Sequence, residues 1–387
     1  MKFSSQSVVS KTKKQNDTAN KTAARPFGTP SRRGLAVSAA FFVFSLAVLI
    51  VGALCTAFAE WYTTTISAFF RAALALLTAP FPFSLAETLV LAGPAAFAIL
   101  LLFRVLQRVF TKKKGCVRLF FERFLCLALC ALSVLIQTFG ICYKRKSAEE
   151  RFALNTEALT EHDVYVSALL VRQMAENSRQ SLLCNADGAT QMPYDFQALK
   201  QKVRESYAKF LPALPPVLSI KPVALSEPWT YLHISGMYMP FTGEANLNMN
   251  FPDYTLAFTA CHETAHQLGI AYESEANFYA FLACLYADDD YLRYAGCLNL
   301  LEYLLADLSA KDLQTLFQSM DAGIIGEWRA YSAFFEKYRA SAAAKLSDSV
   351  NDGYLKSQGV ASGTANYSEV SRLAVAYLKQ NFPESYA

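Results

Sequence analysis

CHETAHQLGIAYESEANFYAF, residues 261–281, contains the pattern from which the rest of the chain can be interpreted. His262 and His266 are four residues apart, so on an α-helix they lie one turn apart on the same face and can reach one ion. Glu263 lies beside them, where a carboxylate can accept a proton from water. Two histidines and a glutamate in HExxH spacing therefore predict a zinc site suited to hydrolysis.

The third protein ligand of such a site has to come from beyond the helix, because a catalytic zinc ion keeps its fourth position for water. In metzincins a third histidine lies three residues after the glycine of HExxHxxGxxH, but Tyr272 occupies that position here. Gluzincin-like peptidases instead use a glutamate of the following helix, and Glu273 fits that pattern. Asn277, one turn later, is the expected partner of a ligand histidine. Glu275 is the alternative third ligand, although it would face away from that side.

A peptidase also needs a hydrogen-bond donor for the negative charge that develops on the substrate oxygen. The sequence does not single one out. The candidates are the side chains of His233, Tyr272, Tyr354 and Tyr367.

Composition divides the chain into two unlike parts. Residues 1–146 contain 19 Lys and Arg against 4 Asp and Glu, whereas residues 147–387 contain 17 against 28. The mean hydropathy of +0.20 is high for a purely soluble protein and indicates membrane segments. The acidic second part argues against nucleic acid as a partner. The nine cysteines show no paired spacing that would indicate a disulfide framework.

The first part predicts a disordered basic tail over residues 1–34 and a membrane domain over residues 35–143. Three stretches are long and apolar enough to cross a bilayer of about 30 Å. These predicted transmembrane helices lie at about 35–59, 85–103 and 120–142. A further apolar stretch, 63–79, has Arg71 at its middle, and we predict an interfacial helix there because a charge is costly at the bilayer centre.

The distribution of basic residues predicts which side of the membrane each part occupies. The basic tail and the basic loop between the second and third spans are both expected in the cytoplasm. Three spans then leave residues 147–387 outside the cytoplasm. If 63–79 also crossed the membrane, that side would be reversed.

The second part, residues 147–387, is predicted to be an α+β domain that is mostly helical. Helices are expected over 147–183 and 194–211, and several more between Glu273 and Phe382. Strands are expected over 217–223 and 229–235, and within 236–250. An extended strand just before an HExxH helix is where a peptide substrate would pair, although an ordinary sheet edge has the same pattern.

The chain resembles the bacterial domain-of-unknown-function family 3810 (DUF3810). The resemblance rests on the three apolar segments and on HETAHQLG and ESEANF of the opening stretch. It also rests on PFTGEANLN (240–248), NDGYLKSQG (351–359) and GTANY (363–367). It implies a zinc protein of the HExxH type that is anchored in the bacterial cell membrane and acts as a peptidase, and it does not imply a substrate.

Three classes of function are compatible with these features. The first is a membrane-anchored zinc metallopeptidase in which Glu263 is the general base and the substrate is a peptide or protein. The second is an inactive zinc-binding sensor or anchor domain, which would not need to keep Glu263. A transporter is poorly supported, because the spans contain few polar residues. The expected cofactor is Zn²⁺, and the expected partner is the lipid bilayer.

Overall fold

The computed structural model describes residues 32–112, 115–211, 215, 217–338 and 367–386. Over these residues the protein is mostly helical, with one three-stranded sheet. The predicted α+β composition dominated by helix is therefore confirmed. Most of the predicted tail, residues 1–31, lies outside the described residues, and helix already begins at Arg32.

The first five helices form the apolar part of the molecule. They are α1 (Arg32–Leu54), α2 (Thr56–Tyr62), α3 (Ala68–Thr78), α4 (Leu85–Thr111) and α5 (Cys116–Thr138). Among the described residues, α1, α4 and α5 are the helices that are long and apolar enough to cross a membrane. These three candidate spans agree in number with the three stretches predicted from the sequence, and α4 continues through Pro94 to eight residues beyond its predicted end.

Helix α3, which contains most of the predicted interfacial segment, lies along the rest of the protein over its whole length. Near its middle, the backbone nitrogen of Ala75 is 2.8 Å from the position that a Cβ at Gly243 would occupy. In its last turn, the hydroxyl oxygen of Thr78 is 3.1 Å from that of Ser219. A π-helical turn, Thr63–Ser67, connects α3 to α2. The segment is therefore docked on protein along one side.

The start of α4 is also fixed to the sheet that follows later in the chain. The hydroxyl of Ser84 donates to the side-chain oxygen of Asn246 at 2.6 Å. The carboxylate of Glu244, which is fully buried, accepts from the backbone N–H of Ala86 at 2.8 Å. A carboxylate at a helix N-terminus stabilises the unpaired N–H groups there. The C-terminal half of α3 and the start of α4 thus lie beside the same sheet.

The second part of the chain contributes ten helices to the described residues. They are α6 (Ala148–Phe152), α7 (Glu161–Arg179), α8 (Phe196–Phe210), α9 (Ser226–Tyr231), α10 (Asp253–Gln267), α11 (Glu273–Leu285), α12 (Asp290–Ala306), α13 (Ala310–Gln318), α14 (Ala322–Glu336) and α15 (Tyr367–Asn381). The helix predicted over 147–183 is interrupted, because Ala153 adopts a left-handed conformation and Thr160 then begins α7 with a capping box.

One predicted strand is wrong. Residues 229–235 are aromatic and β-branched, but the first of them complete α9. Pro228 lies in the first turn of this helix, where the missing N–H costs nothing. His233 then has a positive φ of 57°, which turns the chain away from the helix.

The sheet consists of β1 (Ile220–Pro222), β2 (Gly236–Met239) and β3 (Glu244–Leu247) in the order β1–β3–β2. β3 is parallel to β1 and antiparallel to β2. The strand just before the HExxH helix is therefore central and already paired on both sides, so it cannot hold a substrate. The strands at the two edges are β1 and β2, and of these β2 packs against α10.

Two hydrophobic cores hold the molecule together. The larger one is built from the helices of residues 147–387 and the inner faces of β1 and β3. The smaller one joins the two parts of the chain: Val48, Phe139 and Ile141 of the first part pack with Tyr238 and Ala271 of the second. The predicted membrane domain and the predicted zinc domain therefore share a core instead of being joined by a free linker.

Candidate metal centre

Helix α10 carries the HExxH pattern and is buried on nearly all sides by α11, α12 and the sheet. It ends at Gln267, and Gly269 follows with a positive φ of 89°. That conformation favours glycine and reverses the chain toward α11. A Cβ at Gly269 would also lie 2.5 Å from the Nη2 atom of Arg71. Both conditions explain why glycine occupies this position.

Three side chains converge beyond this turn. The Nε2 atoms of His262 and His266 are 3.0 Å apart. One carboxylate oxygen of Glu273 is 3.1 Å from the first and 3.5 Å from the second. Ligand atoms at 2.0 to 2.1 Å from a tetrahedral zinc ion are about 3.3 Å from each other. The triangle of the three atoms therefore has the size of one face of a zinc tetrahedron.

The hydrogen bonds of the Nδ1 atoms determine which ring nitrogen of each histidine faces this triangle. Nδ1 of His262 is 2.7 Å from the side-chain oxygen of Asn277, and Nδ1 of His266 is 2.7 Å from the backbone oxygen of Ile270. Since both partners are acceptors, each Nδ1 carries the proton and each Nε2 presents a lone pair. Asn277 is oriented in turn by Tyr303, whose hydroxyl accepts from its amide. The group has the arrangement that metal-binding histidines require.

Glu263 lies against the edge strand of the sheet. Its carboxylate accepts a hydrogen bond from the backbone N–H of Tyr238 in β2. A Cβ at Gly236 would be 2.7 Å from both Cγ and Oε1 of Glu263, so a side chain there would displace the glutamate or the strand. Burial raises the pKa of Glu263 above its ordinary value, while the neighbouring imidazoles oppose that rise. A raised pKa suits a group that has to accept and then donate a proton.

The charges of the triangle depend on one another. Burial alone would lower the pKa of His266, but the carboxylates of Glu273 and Glu263 raise it to about 9. Burial raises the pKa of Glu273, yet the two imidazoles lower it further than burial raises it. A proton and a metal cation would therefore compete for the ring nitrogens that face these carboxylates.

The structure separates the two candidate third ligands. Glu273 is 42% exposed and faces the histidines. Glu275 is buried and points the other way, where it accepts from the backbone N–H of Ala148 at 2.6 Å and forms an ion pair with Arg151. Glu275 therefore anchors α6 to α11 and does not take part in the triangle.

Two candidate donors for the substrate oxygen have backbone partners elsewhere. The hydroxyl of Tyr272 donates to the backbone oxygen of Tyr143 at 3.1 Å. Nε2 of His233 is 3.2 Å from the backbone oxygen of Tyr338. Tyr354 lies outside the described residues, and the side chain of Tyr367 is likewise not described. Neither described candidate joins the triangle.

Arg71 and Phe139 contribute to the centre although sequence reasoning did not include them. The guanidinium of Arg71 donates to the backbone oxygens of Gln267 at 3.1 Å and Leu268 at 3.3 Å, at the end of the HExxH helix. The ring of Phe139 packs edge-on against that of His266, with centroids 5.9 Å apart. An arginine inside an apolar stretch was the one visible signal, and it was interpreted only as a barrier to membrane crossing.

Comparison with known proteins gives one match. The model of a family described as "Protein of unknown function (DUF3810)" matches residues 62–375, which is most of the chain. The match includes α3 to α14, the first part of α15 and the whole of the candidate metal centre. No curated protein and no solved structure matches the chain.

Proposed function

The chain belongs to the DUF3810 family, and we propose that it is a membrane-anchored, zinc-dependent metallopeptidase with a gluzincin-like set of ligands. The observation that carries the proposal is the triangle of His262, His266 and Glu273, whose three facing atoms lie 3.0 to 3.5 Å apart. Two imidazole nitrogens and one carboxylate oxygen are a ligand set typical of catalytic zinc.

Zinc bound by these three residues would supply a water of lowered pKa and would polarise the carbonyl group of a peptide. The remaining steps of the reaction are carried out by side chains and backbone groups of the protein. Glu263, which is buried beside the histidines, takes the proton of the attacking water and delivers it to the leaving amine. The N–H of Tyr238 holds the Glu263 carboxylate in place for both transfers.

Strand β2 is the proposed binding surface for the substrate backbone. It lies at the edge of the sheet, and Gly236 brings it directly against Glu263. A peptide that adds to a sheet edge gains backbone hydrogen bonds without needing a particular sequence. The absence of a side chain at Gly236 allows the strand to come within contact distance of the general base.

We propose that residues 147–387 lie outside the cytoplasm of a bacterial cell. The ends of α1 and α5 and the start of α4 all meet the second part of the chain, whereas Arg108, Lys112 and Arg118 lie at the opposite ends of the helices. Positively charged loops remain in the cytoplasm. The contacts of α3 with the sheet support an odd number of crossings, which agrees with this side.

The proposal is tested with the purified full-length chain in detergent, measuring bound zinc and cleavage of a peptide library. The substitution Glu263→Gln should lower cleavage by about 10²- to 10⁴-fold, because the general base is lost, while zinc remains bound at one per chain. Glu275→Gln is the matched control, since Glu275 is also an acidic residue of this region but lies outside the triangle.

Two results would contradict the peptidase. A chain without zinc would overturn both the peptidase and the zinc-binding sensor. Zinc at one per chain without Glu263-dependent cleavage would favour the sensor or anchor, an alternative supported by the engagement of Tyr272 and His233 with backbone oxygens away from the triangle.

A further inference from the structure

We infer that the substrates are polypeptide segments held at the membrane surface, within a few residues of a transmembrane or lipid anchor. This inference rests on the proposed peptidase function and specifies its substrate class. It follows from where the metal centre lies relative to the spans, from how firmly it is held there, and from where strand β2 leads.

The metal centre lies immediately at the end of a span. Helix α5 ends at Thr138, and the next residue, Phe139, packs against the ring of His266 with centroids 5.9 Å apart. The same ring lies 5.5 Å from that of Tyr238, the residue of β2 whose N–H binds Glu263. The first residue after the membrane helix is therefore in contact with a proposed ligand and with the proposed substrate strand.

Buried polar contacts hold the metal centre at this position, next to the end of the span. Arg71 is only 3% exposed, and besides Gln267 and Leu268 it donates to the backbone oxygens of Thr138 and Thr63, each at 3.1 Å. One guanidinium thus joins the end of the HExxH helix, the end of α5 and the π-helical turn before α3. Separating them would leave several buried acceptors without a donor, which is unfavourable because a buried oxygen without a partner also lacks water.

A second tie lies beside the first. Arg145 forms a bidentate ion pair with Glu60 of α2 and also donates to the backbone oxygen of Gly269 at 3.1 Å. Because Arg145 is largely buried, the pair resists exchange with water. The centre is therefore fixed to the membrane part at two points on the turn after α10.

The outward face of α3 is the surface that identifies the bilayer as the neighbour. Its inward residues Arg71, Ala75 and Thr78 are buried against the protein, while the opposite face is apolar and open. The open side chains are Phe69 at 67%, Phe70 at 48%, Leu76 at 54% and Leu77 at 70% exposed. An apolar face of this size beside three membrane spans is stable in contact with lipid chains and not with water.

Strand β2 leads from the centre to this lipid-facing helix. Gly236, at one end of β2, touches Glu263, and the turn after the other end contains Phe241, which is 41% exposed, and Gly243, which touches α3. Strand β2 itself, Gly236–Met239, rises about 10 Å over its three residue steps, and the turn begins directly after it. A peptide paired along β2 would thus reach the turn beside α3 only a few residues from the bond beside Glu263.

The test presents one peptide library to the full-length chain in lipid nanodiscs in three forms. In the first form the library is free in solution, in the second it is fused to a transmembrane helix through 4 residues, and in the third through 20 residues. Both tethered forms are confined to the same disc, so comparing them separates the position of the peptide from mere confinement. Glu263→Gln is run in every arm to define background.

We expect the 4-residue form to be cut about tenfold faster than the 20-residue form, because effective concentration at the surface falls roughly as the −3/2 power of tether length. Equal rates for the two tethered forms, or faster cleavage of the 20-residue or free form, would overturn the inference and leave the peptidase standing. Zinc-loaded chain that cuts none of the three forms above background would instead overturn the proposed peptidase function.

Discussion

Two groups of acceptor atoms lie near the C-terminal end of α10. They differ in the source of the positive charge that they surround. At the end of α10, backbone oxygens of Gln267 and Leu268 surround the guanidinium of Arg71. Just before it, the lone pairs of His262 and His266 face each other at 3.0 Å, together with Glu273. The first group includes its own cation, whereas the second presents acceptors to a cation from solution.

The two clusters therefore differ in whether folding alone completes them. The Arg71 cluster is complete as soon as the chain has folded, so it contributes to stability whether or not metal is present. Under the proposed zinc binding, the histidine cluster gains its full stability only with the ion, and that gain depends on the ion concentration. Substitutions in the two clusters should therefore respond differently to added zinc.

The largest effect is expected for His266→Ala. Losing one ligand should remove about a quarter of the 10–16 kcal/mol typical of structural zinc, or about 3–4 kcal/mol, which weakens binding several hundredfold. Zinc affinity is measured by competition with a chelating dye, and unfolding is measured with and without zinc. The variant should need several-hundredfold more zinc than the unaltered protein for the same rise in unfolding temperature, and an undiminished response to zinc would place the ion elsewhere.

Arg71→Met should destabilise the protein by about 3 kcal/mol, since several buried backbone oxygens lose their donor. Unlike His266→Ala, it should lower the unfolding temperature equally with and without zinc. Arg71→Lys retains a charge but has no fork of donors, so an intermediate loss is expected. If Arg71→Met abolished zinc binding in folded protein, the two clusters would be one unit and the contrast between them would fail.

Asn277→Ala tests how much the orientation of a ligand contributes. Removing the acceptor of the His262 Nδ1 proton should weaken zinc binding by about 10- to 100-fold, as is usual for partners of metal ligands. Asn277→Asp keeps an acceptor at this position and should retain most of the affinity. Equal losses in both variants would show that packing beside Tyr303, and not the hydrogen bond, supports the histidine.

The smallest effect on zinc is expected for Glu275→Gln. Glu275 binds Arg151 and the N–H of Ala148, so its change should cost about 1–3 kcal/mol of stability and alter zinc affinity less than threefold. The paired substitution Glu273→Gln should lower zinc affinity much more while affecting the ion pair with Arg151 little. The reverse order would identify Glu275 as the ligand.

The candidate centre was predictable from sequence where helical periodicity determines it. His262 and His266 share a face because they are four residues apart, and the same spacing puts Asn277 behind Glu273. Gly269 signalled the turn that lets the second helix approach the first. These residues depend on contacts within about 15 positions, which a sequence pattern can express.

The remaining features depend on contacts between distant parts of the chain. Strand order is one example: nothing local distinguishes β3, which is central, from an edge strand, because its partner β1 lies more than 20 residues earlier. The helix at 226–231 is another, since the first-turn position of Pro228 outweighed its aromatic neighbours. Arg71 is the clearest case, because the carbonyl that it binds at Gln267 is 196 residues away.

That separation in sequence also sets the order in which Arg71 and its partner are synthesised. At about 5–20 residues per second, Arg71 leaves the ribosome about 10–40 s before Gln267 is made. Throughout that interval the guanidinium of Arg71 has no contact with the carbonyls of the HExxH helix. The segment that contains Arg71 stays at the membrane surface during this time. The last spans are inserted before α10 has been synthesised. The end of α10 then binds to groups that are already in position. The candidate metal centre can therefore take its final form only after the apolar part of the chain has been made.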